Sequence, residues 1–293
     1  MNRTNTQRGI TVAPATLESD SLLREIAATE EISTLKWGRR ILIGRIVLGF
    51  AALGLWEALS GPVVDPFWIS RPSEIILRLG TWIRTGYLFI HLGVTLWEMT
   101  LGFILGSVAG IGVGFALGRL RAVAELLSPF IAAFFSMPRI ALAPLFILWF
   151  GIGLASKVAL VFLMVFFLVF YNTFAGVRDV SPELINKVRL MGATRMQLMR
   201  KVILPAAGTW IFTGLRVAVP FALISAVVAE IVASNRGLGY VVQFSSGMFD
   251  TAGIFAALFV LMLVGLTLNE ILSRVESRVL RWKLDRRHGP DGI

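Results

Sequence analysis

The chain has 293 residues, 56% of them hydrophobic, and a mean hydropathy of +0.77, an apolar excess too large for one soluble core and usual for a polytopic membrane protein. The net charge of +10 gathers at the ends of apolar stretches, so it reads as an orientation signal and not as a nucleic-acid footprint. Cysteine is absent and the two histidines, His91 and His288, lie far apart, which excludes disulfides and thiolate sites and makes a histidine metal centre an unpromising reading.

Residues 1–40 are polar, carry charges of both signs and lack the early apolar region of a cleavable signal; they read as a cytoplasmic extension, partly helical around Leu22–Ile32. Six stretches are apolar over the roughly 20 residues that a crossing helix needs: Ile41–Leu59, His91–Leu117, Leu126–Phe150, Val158–Ala175, Ala207–Ala233 and Ile254–Val275. Between the first two, Pro72-Ser73-Glu74 opens an amphipathic helix with Ile75, Ile76, Leu79 and Ile83 on one side, expected along the outer membrane surface. The second span carries Gly102, Gly106, Gly110, Gly114 and Gly118, a glycine ridge that suits close packing against a neighbouring helix. The third is expected to kink or break, because Pro138 and Pro144 each remove a helix hydrogen bond.

The long polar stretch 176–205 is the most informative. Ser181 and Pro182 signal a helix start, Gly192 a stop, and Thr194 with Gln197 a capping box for a second short helix. Leu184, Val188 and Met191 are expected to share one face of the first helix, with Arg178, Lys187 and Arg189 nearby and Pro205 closing the second. After the fifth span, Gly237, Gly239 and Gly247 in Ser234–Thr251 fit either a re-entrant turn or an outer contact element.

Basic residues set the orientation. The N-terminal arm, Gly118–Arg121, 176–205 and the tail, with Arg45 and Arg274, hold 21 of the 28 Lys and Arg residues, which places both termini in the cytoplasm. Arg71, Arg78, Arg84, Lys157 and Arg236 fall on the opposite side. Glu98, Arg139, Arg216 and Glu230 lie within spans, where an ionisable group is a functional candidate by default. Arg139 and Arg216 would supply a weak positive field along a solute route; pairing with a carboxylate such as Glu98 is the structural alternative for Arg216.

The 176–205 stretch and its flanks resemble the permease subunit of ABC importers, nearest to the nitrate, sulfonate, taurine and bicarbonate branch. Gly192 is followed, after nine residues, by Val202-Ile203-Leu204-Pro205, in register with the family's Gly and I-x-L-P; at the E-A-A positions stand Asn186, Lys187 and Val188. Ala143-Pro144-Leu145 to Leu148-Trp149-Phe150-Gly151, Thr213-Gly214-Leu215-Arg216, Val228-Ala229-Glu230 and Gly237-Leu238-Gly239-Tyr240 also match that branch. The resemblance covers roughly residues 60–283 and implies an all-α type I importer permease; with the apolar span before it, the permease domain has six transmembrane helices over 41–283 and a short cytoplasmic tail at 284–293. It implies a homodimer in the bacterial inner membrane, two cytoplasmic ABC ATPase subunits and an external solute-binding protein. Glu183, Leu184, Lys187, Val188, Met191, Gly192, Ala193, Arg195, Leu198 and Pro205 would form the ATPase-coupling element. Glu98, Arg139, Arg216 and Glu230 would line the solute pathway. No cofactor is expected on this chain, since no G-x-x-x-x-G-K-[ST] occurs and ATP would be used by the partners. An ion-driven secondary transporter or channel is the alternative; it would be expected to show two inverted halves with paired broken helices, and one broken span is visible.

Overall fold

The computed structural model describes residues 41 and 43–280, so the expectations for 1–40 and 284–293 lie outside the described residues. Every element longer than a single bridge is helical among the described residues. The chain divides into two units at Val63–Val64. In the first, α1 covers 43–59. In the second follow α2 (Pro72–Arg84), α3 (Tyr87–Arg119), α4 (Arg121–Ser136), α5 (Ala143–Phe150), α6 (Leu154–Arg178), α7 (Pro182–Leu190), α8 (Arg195–Leu198), α9 (Leu204–Ala233), α10 (Leu238–Gly247) and α11 (Thr251–Val279).

Four helices among the described residues are long and apolar enough to cross a membrane: Tyr87–Arg119, Leu154–Arg178, Arg195–Ala233 and Thr251–Val279. A fifth crossing is available if the pair Val123–Ser136 and Arg139–Phe150, bent by 80°, counts as one span. The bend lies at Met137 and Pro138, where the backbone leaves helical angles. Pro144 does not break the helix there; it stands in the first turn of α5, where its missing N–H costs nothing.

The core of the second unit is the seam of α3 on α6, with α9 packed along α6 and also meeting α3. The glycine ridge makes that seam. A Cβ on Gly106, Gly110 or Gly114 would meet the backbone oxygen of Phe162, Phe166 or Phe170 at 2.8, 2.8 and 2.7 Å, so the two backbones already touch. The ridge is therefore a packing surface. G110V is expected to force the helices apart and cost about 1–3 kcal/mol, as overpacked cores do. Thermal unfolding in detergent reads it, and a wild-type melting curve would show that the seam yields without cost.

Two local expectations change. On α2 the stripe turned inward is Ile75 and Trp82, packed towards α3 and α11, while Ile76 and Ile83 face outward. Pro205 does not end the second loop helix. A π turn at Met199–Ile203 puts the Leu204 N–H on the Met199 oxygen, and α8 runs through it into α9 as one helix of 39 residues. The wider turn accommodates a proline that a regular α-helix would exclude at this depth.

Candidate functional site

The 176–205 stretch is a rigid corner. Ser181 precedes Pro182 at the start of α7, although its side chain makes no capping bond. At the other end Gly192 has φ +82°, which only glycine adopts readily, and the Gly192 and Ala193 N–H groups donate to Arg189 and Val188 at 2.9 and 3.3 Å. These two bonds form a Schellman stop. The Thr194 N–H then donates to Gln197 Oε1 (2.9 Å) and the Gln197 N–H to Thr194 Oγ1 (3.3 Å), the reciprocal box that starts α8. Asp179 Oδ2 accepts from Trp210 Nε1 at 3.2 Å, fixing the end of α6 to α9.

Apolar packing divides the candidate residues. Val177, Val180, Leu198, Ile203, Ala207 and Ile211 form a buried cluster, with Ile185 and Val188 packed on it. Val188 and Leu198 thus hold the corner together. Glu183, Leu184, Lys187, Met191, Gly192 and Arg195 are exposed, while Ala193 and Pro205 are half-buried. The inward stripe is Ile185 and Val188, so Leu184 and Met191 do not share it. Leu190 and Met191, 89% and 84% exposed on either side of the helix stop, are the apolar tip, together with Met196 at 61%. Leu190 and Met196 were not among the expected contacts; the signal for Leu190 was its place next to Met191 and the glycine that ends a charged helix, and Met196 had none.

At the opposite end of α3 lies a buried polar knot. Lys157 Nζ on α6 donates to Glu98 Oε1 on α3 at 2.6 Å and to Ser234 Oγ at 2.8 Å. Both charged side chains are almost completely buried. Glu230 on α9 accepts from Thr95 Oγ1 (2.7 Å) and from the Gly239 N–H (2.6 Å). The Leu238 N–H donates to Thr95 Oγ1 at 2.8 Å and the Gly237 N–H to His91 Nδ1 at 3.0 Å. Three successive amides at the start of α10 are therefore held by side chains of α3 and α9. A Cβ on Gly237, whose φ is +108°, would collide with the Glu230 carboxylate, and one on Gly239 would meet the Val227 backbone oxygen as well as Glu230, which explains both glycines. The His91 ring stacks with Tyr240 at 5.8 Å and lies 4.2 Å from Tyr87.

The four intramembrane candidates thus have separate surroundings. Glu98 pairs with Lys157, which the charge pattern had placed among outer orientation residues, and Glu230 holds backbone. Arg216 pairs with Glu276 and donates to Ser273 Oγ (3.2 Å) on α11, so its carboxylate is not Glu98. Arg139 sits at the break of the bent span, its guanidinium 4.9 and 5.6 Å from the Phe135 and Phe167 ring centres. Its Nη1 is buried without a hydrogen-bond partner among the described residues. His91, Thr95 and Lys157 were missed as members of the knot because their partners lie on other elements. Among the described residues no cluster of His, Asp or Glu could hold a metal ion.

The family model described as binding-protein-dependent transport system inner membrane component matches residues 102–281. Over 258 residues the chain is 30% identical to the taurine transport system permease protein TauC of Escherichia coli, covering 85% of this chain and 94% of that one. It is 36% identical over 234 residues to the riboflavin transport system permease protein RibX of Chloroflexus aurantiacus, covering 79% and 87%. It is 33% identical over 229 residues to the formylaminopyrimidine transport permease protein ThiX of Halalkalibacterium halodurans, covering 78% and 91%. Among solved structures, the inward-facing MetNI methionine ABC transporter shares the fold with a TM-score of 0.54 at 22% identity, over 65% of this chain and 93% of that chain.

Proposed function

The chain belongs to the family of binding-protein-dependent transport system inner membrane components, and from that premise we propose that it is the permease subunit of an ATP-driven importer. It is a transport component and not an enzyme. In this reading six spans cross a bacterial inner membrane with both termini in the cytoplasm. Two copies pair, two ABC ATPase subunits use the ATP, and an external binding protein delivers the solute.

The observation that carries the reading is the 176–205 corner. An ATPase pair that closes on ATP needs a stiff handle on the spans. Here α8 passes through the π turn into α9 as one helix of 39 residues, so the loop and the span are continuous and a push on the loop reaches the membrane without a chain break. The apolar tip at Leu190 and Met191 has no cover among the described residues and is the surface such a partner would take up.

The solute we infer is a small oxyanion: a sulfonate, taurine, nitrate or bicarbonate. Support comes from Arg139, whose Nη1, at the break of a span and without a hydrogen-bond partner among the described residues, suits a planar or sulfonate-like anion. The relatives named for riboflavin and formylaminopyrimidine carriage leave the external binding protein as the principal selector. Purification of the tagged chain from its native membranes in mild detergent, with mass spectrometry of its partners, tests the reading. An ABC ATPase recovered in near-equal amount is the expected result. Its absence after mild cross-linking would overturn the importer reading and favour an ion-driven carrier.

A further inference from the structure

The corner also bounds an open cavity of about 310 Å³, lined by Gly118, Arg119, Val177, Ile185, Arg189, Arg195, Leu198 and Ile203. Its floor is apolar and firm, since Val177, Leu198 and Ile203 are at most 8% exposed. Its rim carries three guanidinium groups from three different elements. Arg119 ends α3, Arg189 lies in the last turn of α7, and Arg195 opens α8. Among the described residues none of the three has a carboxylate partner, although other arginines of the chain do.

Each arginine stands on fixed backbone. A Cβ on Gly118 would already press on Val177, so the end of α3 is clamped to α6. Arg189 precedes the Schellman stop, and Arg195 follows the capping box. Three cations held around an apolar floor, with no anion of their own, form a receptor for a carboxylate on an apolar stem. The wider stretch has the same bias: 176–205 carries six basic side chains against Asp179 and Glu183.

We infer that this cavity receives an acidic side chain of the ATPase subunit, bound by the forked donors of Arg119, Arg189 and Arg195 while its stem covers Leu198 and Ile203. The inference rests on the permease reading and adds to it. It gives the partner surface a sign and brings in Arg119, which belongs to a different inter-span segment from the 176–205 loop. Arginine suits the task because it binds a carboxylate through two parallel hydrogen bonds. A protein partner is favoured over a lipid because Ile185, Arg189, Arg195, Leu198 and Ile203 all come from the loop itself, beyond the closed α3–α6 seam.

The test is titration of the detergent-purified chain with the ATPase subunit that co-purifies with it, for wild type, R119E, R189E and R195E. All three positions are exposed, so unchanged melting curves are the control for folding. Each reversal is expected to weaken binding roughly tenfold or more, as loss of a close interfacial charge pair does, with a smaller difference at high salt. R189K should retain part of the affinity, and a single acid-to-lysine change on the ATPase should restore binding to one of the reversals. Affinities within twofold of wild type for all three would overturn the inference while leaving the permease reading intact. Unchanged ATPase affinity with loss of co-purifying phosphatidylglycerol would make the cavity a lipid headgroup site and overturn it equally. If the wild-type chain binds no ATPase, the inference falls together with the reading beneath it.

Discussion

K157M is expected to be among the most destabilising single substitutions in the chain, and K157M/E98L to be far milder. The pair Lys157–Glu98 lies between α6 and α3 with both side chains almost fully buried. Removing the lysine leaves a carboxylate with no counter-ion in a low-dielectric site, a loss of about 3–5 kcal/mol in comparable buried pairs. Replacing both members with apolar side chains of similar volume removes the cost of burying the charges together with their attraction, and such exchanges are often near neutral. Part of the loss should persist in the double variant. Lys157 Nζ also donates to Ser234 Oγ, and one net hydrogen bond is worth about 1 kcal/mol. Thermal unfolding in detergent reads both: a fall of roughly 10 °C for K157M and a much smaller one for the double variant. Equal shifts would mean that the lysine acts through packing and not through its charge.

The same knot shows where sequence reasoning reached and where it stopped. Periodic signals were legible. Hydropathy located α3, α6, α9 and α11, and glycine at every fourth position announced the α3 seam, though not that α6 fills it. Local punctuation was legible too: Ser181-Pro182, Gly192 and Thr194 with Gln197 each mark a helix boundary in the structure. Partners distant in the chain were not. Lys157 and Glu98 are 59 positions apart, and Thr95 and Glu230 are 135 apart, with no repeat linking them. The loop face was misphased because one helical wheel was carried from Leu184 to Met191, whereas Ile185 and Val188 pack inward and Gly192 then turns the chain. Pro205 looked like a stop because a proline inside a regular helix removes a bond, and the π turn before it was not visible as a pattern.

L190D/M191D should leave the chain folded and uncouple it. The two side chains are 89% and 84% exposed, so charging them costs the isolated chain little, within about 0.5 kcal/mol for surface positions. Seated in an ATPase groove, the same apolar pair would be the centre of an interface, where loss of an anchor costs about 2 kcal/mol or more. Two kcal/mol corresponds to roughly a thirtyfold weaker complex. Leu198 gives the contrast. It is 5% exposed in the cluster with Val177, Ile203 and Ile211, so L198D would place a charge in the core of the corner and lower the melting temperature as well. Coupling lost through a misfolded loop and coupling lost through a missing contact are thereby separable. Solute-stimulated ATP hydrolysis in proteoliposomes, read beside the melting curve, makes the distinction. A tip variant that melts like wild type but hydrolyses at the unstimulated rate identifies Leu190 and Met191 as the contact through which ATP closure reaches α9. Full stimulation in that variant would remove the tip from the coupling surface and leave the arginine-rimmed cavity as the place where the partner must grip.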